Sequence, residues 1–347
     1  MSGNDVKKRI AIIGAGIAGL ACARELVQHG HDVSVFEKSR GPGGRMPTRW
    51  LNREVEPPVG FDHGTQYFQA TAPAFADLLA QAEAAGAVSQ WRGKVVDLGY
   101  GLTKLHTSDT VRWVGTPGMA SLARFMSQGL TIRLQSRVAG VYRLGDKYQL
   151  TLHLADGTVQ VESGFDAVVC AVPAEQVVPL FDGVHEPLAA MAGGVHSNVT
   201  WALMLTPREA LKVDFDGAFV VDSPLGWICR DSSKPGRAVG DRWLLQATAD
   251  WSGQHKDYSS EEVSKMLLDV FCNVTGQLVE EPLAVVAHRW LYSLPINPLD
   301  IRCYFDEDHM LGACGDWLSG ARVEDAFLSG HALGNQMLHS FNSTLIQ

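Results

Sequence analysis

RIAIIGAGIAGLACARELVQHGHDVSVFEK, residues 9–38, reads as strand, turn, helix and strand. Ile10 to Ile13 form a short unbroken apolar run, as expected of a parallel strand buried on both faces. Ile17, Leu20, Ala21 and Val27 then recur at helical spacing, and Gly30 stands where a helix-terminating glycine belongs. Between strand and helix lies G-x-G-x-x-G at Gly14, Gly16 and Gly19, and Glu37 ends the second strand. Gly14 permits the tight turn, Gly16 lets backbone approach a pyrophosphate, and Gly19 lets the helix pack on the strand. The positive end of the helix faces the phosphates, and Glu37 can accept both hydroxyls of an adenosine ribose while disfavouring a 2'-phosphate. A glycine-rich turn that binds nothing is the bland alternative. Strand, spacing, helix and terminal acid together weigh against it.

The chain has 347 residues, enough for two domains at about 150 residues each. Hydrophobic residues make up 46% and charged residues 19%, an ordinary globular balance, and the net charge of -9 argues against a nucleic-acid footprint or a basic membrane-binding face. Six scattered cysteines show no zinc or redox spacing and read as buried thiols of a reducing compartment. The first 23 residues mimic a signal peptide, but glycines interrupt the apolar run at the spacing of a binding loop. No segment reaches the roughly 18 apolar residues of a membrane span. The expectation is a soluble cytoplasmic protein with no metal, its oligomeric state open.

FAD is the expected dinucleotide. After Glu37 an NAD domain would continue with helix and strand, whereas this chain enters KSRGPGGRMPTRW, with Gly41, Gly43, Gly44 and the cation Arg45. Such a loop adds backbone donors and a positive charge for the pyrophosphate. FDHGTQYF, residues 61–68, brings another glycine turn, at Gly64. TPGMASLARFMSQG predicts a helix capped by Thr116, with Pro117 at its first position and Gly129 as terminator. Strands are expected over Thr131 to Leu144, Tyr148 to Leu154 and Thr158 to Glu162, and DAVVCAVP returns to the nucleotide sheet. That order suits a flavin-binding domain with an inserted β-meander. MLGACGD then reads as the last strand, placing Asp316 at its C-terminal edge to accept from a ribityl hydroxyl. The helix opening at ARVEDAFLSG would turn the N–H groups near Val323 and Glu324 toward the flavin pyrimidine edge.

The other half, from about Val184 to Tyr304, predicts strands at NVTWALML and RWLLQATADW and a helix over SSEEVSKMLLDVFCNV, capped at Ser259 or Ser260. Its tryptophans, Trp201, Trp227, Trp243, Trp251 and Trp290, either wall a ring substrate or fill the core. CRDSSKPGRAVGDR holds Arg230, Lys234, Arg237 and Arg242, a basic run that could attract a pyrophosphate or simply be a solvated loop. His63 is either a substrate contact or a structural histidine. No nucleophile–base pair is recognisable, and the catalytic side chains stay unassigned.

GAGIAGLACA, GPGGRMPTR, FDHGTQYF, WICRDSSKPGR, AHRWLYS and GDWLSGARVEDAFLSG resemble, in order, motifs of the renalase-like flavoproteins, the bacterial branch above all. The resemblance runs from Ile10 to about Gly330. It implies an α/β fold: a Rossmann-like FAD-binding domain with an inserted β-meander, p-hydroxybenzoate-hydroxylase-like, plus an α+β substrate domain with an antiparallel sheet. Residues 1–70, 115–183 and 305–347 would form the first, and 71–114 with 184–304 the second. It further implies non-covalent FAD and oxidation of misreduced isomers of NADH or NADPH, with oxygen reoxidising the flavin to give hydrogen peroxide. By motif position the FAD contacts include Ala18, Glu37, Arg45, Thr65, Gln66, Asp316, Val323 and Glu324. Gly14, Gly16, Gly19, Lys38, Gly44, Gly64 and Val138 complete the cofactor set, and His63, Arg230, Lys234 and Trp290 are the candidate substrate contacts. Asp231 departs from an expected asparagine, and Leu291 and Ser293 stand where arginine and alanine are expected. A flavin amine oxidase and a non-catalytic flavin-binding regulator are the rival readings.

Overall fold

The computed structural model describes residues 7–52, 59–108 and 110–343, so the first six residues of the leader-like start lie outside it. A six-stranded sheet carries the nucleotide motif. Its order is Tyr304–Asp306, Leu311–Ala313, Ala167–Cys170, Arg9–Ile13, Asp32–Phe36, Thr131–Arg133, parallel except for the antiparallel pair at the Tyr304 edge. Two-sided burial explains the continuous apolar runs. Ile10 and Ile12 join the core beneath the helix Ile17–Gln28, and Ala11 and Ile13 join the core on the opposite face. The C-terminal helix Val323–Ser343 packs along Ile17–Gln28. On the opposite face lie the helices Ala174–Phe181 and Glu186–Gly193 and a three-stranded antiparallel sheet, Ser136–Leu144, Lys147–Leu154 and Val159–Phe165.

Two expected boundaries move. The strand foreseen from Thr131 to Leu144 is two strands, because Gln135 sits at φ 53° and turns the chain out of one sheet into the other. Thr131–Arg133 stays parallel to Asp32–Phe36 at the edge of the nucleotide sheet. The helix expected from Pro117 begins only at Ser121. Thr116–Pro117 is a cis peptide, and the Met119 N–H donates to Thr48 Oγ1 (2.9 Å) and Asp62 Oδ1 (3.1 Å). Tertiary acceptors satisfy this donor in place of a helical cap.

The second large sheet has seven strands in the order Ala284–Trp290, Thr200–Thr206, Trp243–Ala247, Leu225–Arg230, Gly217–Val220, Val95–Gly99, Leu102–Leu105. Its neighbours are antiparallel except for Gly217–Val220 beside Val95–Gly99. The helix Ser260–Thr275 covers one face and starts with a capping box between Ser259 and Glu262. RWLLQATADW is a strand only to Ala247, since Thr248 caps the helix Ala249–Gln254 by accepting from Trp251 N. Trp201, Trp227 and Trp243 are core residues, whereas Trp290 is partly exposed. Among the described residues no helix is long and apolar enough to cross a membrane.

Candidate active site

Backbone crowding dictates the glycine loop. Gly14 has φ +105°, and a Cβ there would come within 2.7 Å of the Ala171 carbonyl oxygen. A Cβ on Gly19 would lie 2.1 Å from the Gly14 oxygen, so helix and loop could not close. At Gly16, by contrast, nothing lies within 4 Å of that position, and this face of the loop opens into a cavity. The buried Glu37 carboxylate accepts from Ala15 N (2.9 Å) and Ser39 N (2.8 Å), one bond to each oxygen. Each oxygen keeps a lone pair for a ribose hydroxyl. The second glycine loop is tied on by Gly43 N, which donates to Ala15 O (2.9 Å).

The cavity measures about 1180 Å³ and runs from Glu37 to Trp290. It is lined by Gly14, Gly16, Ala18, Glu37, Lys38, Gly44, Arg45, Thr65, Val138, Asp316 and Val323 of the expected cofactor set. Gly19 packs behind it. Arg45 joins two parts of the chain by donating to Asp316 Oδ1 (2.7 Å) and Ser293 O (2.9 Å). Thr65 N donates to Arg45 O (3.0 Å), bringing the third glycine turn alongside.

The expected contacts Gly64 and Gln66 point elsewhere, and Glu324, whose N–H is the expected contact, turns its side chain away. Gly64 and Gln66 form the back of the turn: the Gly64 carbonyl accepts from Gln66 Nε2 (3.0 Å) and Gln246 Nε2 (2.8 Å), and the Gln66 amide is buried. The Glu324 carboxylate turns away from the cavity to accept from Thr71 N (2.6 Å), Thr71 Oγ1 (2.6 Å) and Ala72 N (2.7 Å), capping the helix Pro73–Ala84. Burial opposes its charge, yet these bonds hold the carboxyl below its ordinary range.

The basic run is no phosphate-binding loop. The Lys234 ammonium is fully buried between Asp231 Oδ1 (2.7 Å) and Asp62 Oδ2 (3.2 Å), and Arg237 also pairs with Asp62. Arg230 pairs with Asp241 (3.0 Å) and lies over the Trp243 ring, and Arg242 donates to the Ala238 and Val239 carbonyls. A charge buried in low dielectric must be paired, and these partners outcompete a distant pyrophosphate. Burial raises the Asp231 carboxyl, whereas Lys234 and Arg237 overcome burial at Asp62 and lower it.

At the inner end, His63 stacks on Trp290 (centroids 5.3 Å) and meets His288 edge-on (4.8 Å). Trp290 Nε1 donates to His63 O (2.8 Å). Burial, then the neighbouring His288, pushes the His63 ring down to about 4, and burial likewise lowers His288. Both imidazoles are therefore neutral near pH 7. His288 was legible as the strand partner of Trp290 two residues on, sharing its face. Asp62 carried no such signal. Among the described residues His185, Asp306 and His309 also gather ligand-capable atoms within 4.8 Å, away from this cavity.

The chain matches a family of NAD(P)-binding Rossmann-like domains over residues 12–82 and the flavin containing amine oxidoreductase family over residues 100–333. It is similar to the zeta-carotene-forming phytoene desaturase of Myxococcus xanthus, 53% identical over 45 residues, 13% of this chain and 9% of that enzyme. A 4,4'-diapophytoene desaturase of Staphylococcus aureus (strain Newman) is 53% identical over 38 residues, 11% of this chain and 8% of the enzyme. These aligned stretches are small fractions of either desaturase. In fold the chain is similar to a protein assigned as a protoporphyrinogen oxidase from Exiguobacterium sp. 255-15, with TM-score 0.74, 15% identity and coverage of 96% and 99% of the two chains. A putrescine oxidase bound to putrescine matches at TM-score 0.66 and 14% identity, again over 96% and 99%. FAD is the cofactor; the open backbone at Gly16, the two free lone pairs on Glu37 and the cations of the cavity fit its ribose and phosphates. An open glycine cradle, the buried acid Glu37 and a long cavity leading to neutral rings thus meet the family match, and the chain belongs to the flavin containing amine oxidoreductase family as a FAD-dependent oxidoreductase.

Proposed function

We propose that the enzyme is a renalase-like oxidase of misreduced dihydronicotinamide isomers of NADH or NADPH, returning β-NAD(P)+. FAD, when bound, supplies the hydride acceptor, and oxygen takes up the electrons with two protons to give hydrogen peroxide. The chain's own residues bind and place. Gly14, Gly16, Gly44 and Arg45 serve the pyrophosphate, Glu37 the ribose and Asp316 the ribityl chain, while the amides at Val323 and Glu324 favour negative charge at the flavin edge. Residues 1–70, 115–183 and 305–347 are assigned to the cofactor half and 71–114 with 184–304 to the substrate half, except that the helices Pro73–Ala84 and Glu186–Gly193 pack into the core of the nucleotide sheet.

One observation carries the choice of donor. Among the described residues lining the cavity, the carboxylates are Glu37, Glu175 and Asp316, and each is already engaged. Glu37 holds Ala15 N and Ser39 N, Glu175 accepts from Ser197 N (2.6 Å), and Asp316 pairs with Arg45. The cations lining the cavity outnumber these carboxylates seven to three, so a protonated amine meets net repulsion. A neutral dihydropyridine bearing anionic phosphates suits His63, His288 and Trp290 together with a cationic lining of Lys38, Arg40, Arg45, Arg124, Arg137, Arg289 and Arg322. Hydride transfer needs no protein acid or base, only placement at about 3 to 3.5 Å in a site that excludes water.

Anaerobic stopped-flow with partly isomerised NADH tests this. A minor component should bleach the flavin rapidly while β-NADH itself is inert. Bleaching by putrescine or another amine, with none by the isomers, would replace the proposal by the amine-oxidase reading.

A further inference from the structure

We propose that Lys234 is a positioning residue: through Asp62 and Asp231 it fixes the turn Asp62–Gln66, and thereby the His63 and Thr65 wall of the cavity. The inference rests on the cavity and the family's flavin chemistry, not on the identity of the hydride donor.

The ammonium has no surface of its own and touches both ends of the turn, Asp62 Oδ2 at 3.2 Å and Gln66 Oε1 at 3.4 Å. Asp231 Oδ1 receives its third proton (2.7 Å), and Asp231 Oδ2 accepts from the Asp62 amide (3.3 Å). Two cations, Lys234 and Arg237, thus balance two carboxylates, Asp62 and Asp231, in a closed group. Between the gripped ends, His63 and Thr65 line the cavity. Trp290 holds the His63 carbonyl and Gln246 the Gly64 carbonyl, so the wall has little slack. A buried ion group adds little net stability but tolerates few geometries, because every alternative strands a charge away from water. Such a group suits the setting of a position better than the strengthening of a fold.

Lys234→Met alone would strand Asp231 and could simply unfold the chain. The informative protein is the Asp231→Asn/Lys234→Met double variant, which removes one charge of each sign. As holoenzyme it should fold and keep FAD. Flavin bleaching by partly isomerised NADH should slow by about 10- to 100-fold, the scale of an ångström misplacement. The NMR titration midpoint of the His63 ring should rise as its packing loosens, a change that a merely structural cluster would not produce. An unmoved His63 midpoint, or an unchanged bleaching rate in the folded, flavin-loaded variant, overturns the assignment. Failure of the double variant to fold overturns it too, since the cluster would then serve folding. Should the parent enzyme not be bleached by the isomers, the proposed donor falls while the His63 titration still decides the role of Lys234.

Discussion

Gly330→Ala adds one methyl group to the molecule at the place where two helices cross. A Cβ on Gly330 would lie 1.9 Å from the Ala18 carbonyl oxygen and 2.7 Å from its carbon. Ordinary contact begins at 3.4 Å, so the helix Val323–Ser343 would have to retreat by about 1.5 Å. The obstacle is backbone, so no rotamer change relieves it. One turn on, a Cβ at Gly334 would sit 2.7 Å from Glu25 Cβ, so the two helices stay in close approach over the whole turn. Overpacking of this kind costs up to about 3 kcal/mol, and replacing a helical glycine returns about 1 kcal/mol. The expected net loss is about 2 kcal/mol, read as a lower urea midpoint at unchanged slope. FAD binding should weaken in parallel, because Ala18 and Val323 both line the cavity. Gly253→Ala is the control: it lies in the helix Ala249–Gln254 with nothing within 4 Å of a Cβ, and should stabilise by about 0.5–1 kcal/mol. A Gly330→Ala midpoint equal to or above the parent's would refute the reasoning.

Asp316→Ala removes the acceptor facing Arg45 and should weaken FAD binding by roughly 10- to 100-fold, the worth of one charge-assisted hydrogen bond, read as the flavin-to-protein absorbance ratio after gel filtration. The His63 ring titrates at about 4 in the fold, below its ordinary 6.5, so the unfolded chain binds that proton more tightly. Stability from the neutral ring is therefore full above pH 6.5 and falls away toward pH 4 by about 3 kcal/mol. Urea unfolding across that window should show His63→Asn losing correspondingly less than the parent, and parallel curves would remove His63 from the account. Glu324→Ala leaves the Thr71 and Ala72 donors without their acceptor and should cost about 2 kcal/mol by the same assay, with no effect expected of a side chain that faced the cavity alone.

The glycine loop, the two-sided burial of Ile10 to Ile13 and the Ser259 capping box were legible because each depends on backbone within a few residues. The same locality made Asp316 and Glu37 recognisable, since both stand at strand ends of a known unit. Local patterns misled where a distant partner claimed a group first. Thr48 and Asp62 take the Met119 N–H that a helix start would otherwise leave to a cap.

Residues 9–38 by themselves thus determined a nucleotide-binding sheet and the buried acid at the end of its second strand. Whether a basic run binds phosphate was decided only in three dimensions. Lys234 and Asp62 lie 172 positions apart and meet in a dry interior, where a charge is stable only beside its opposite. A sequence shows the charges but not which of them are taken out of water together.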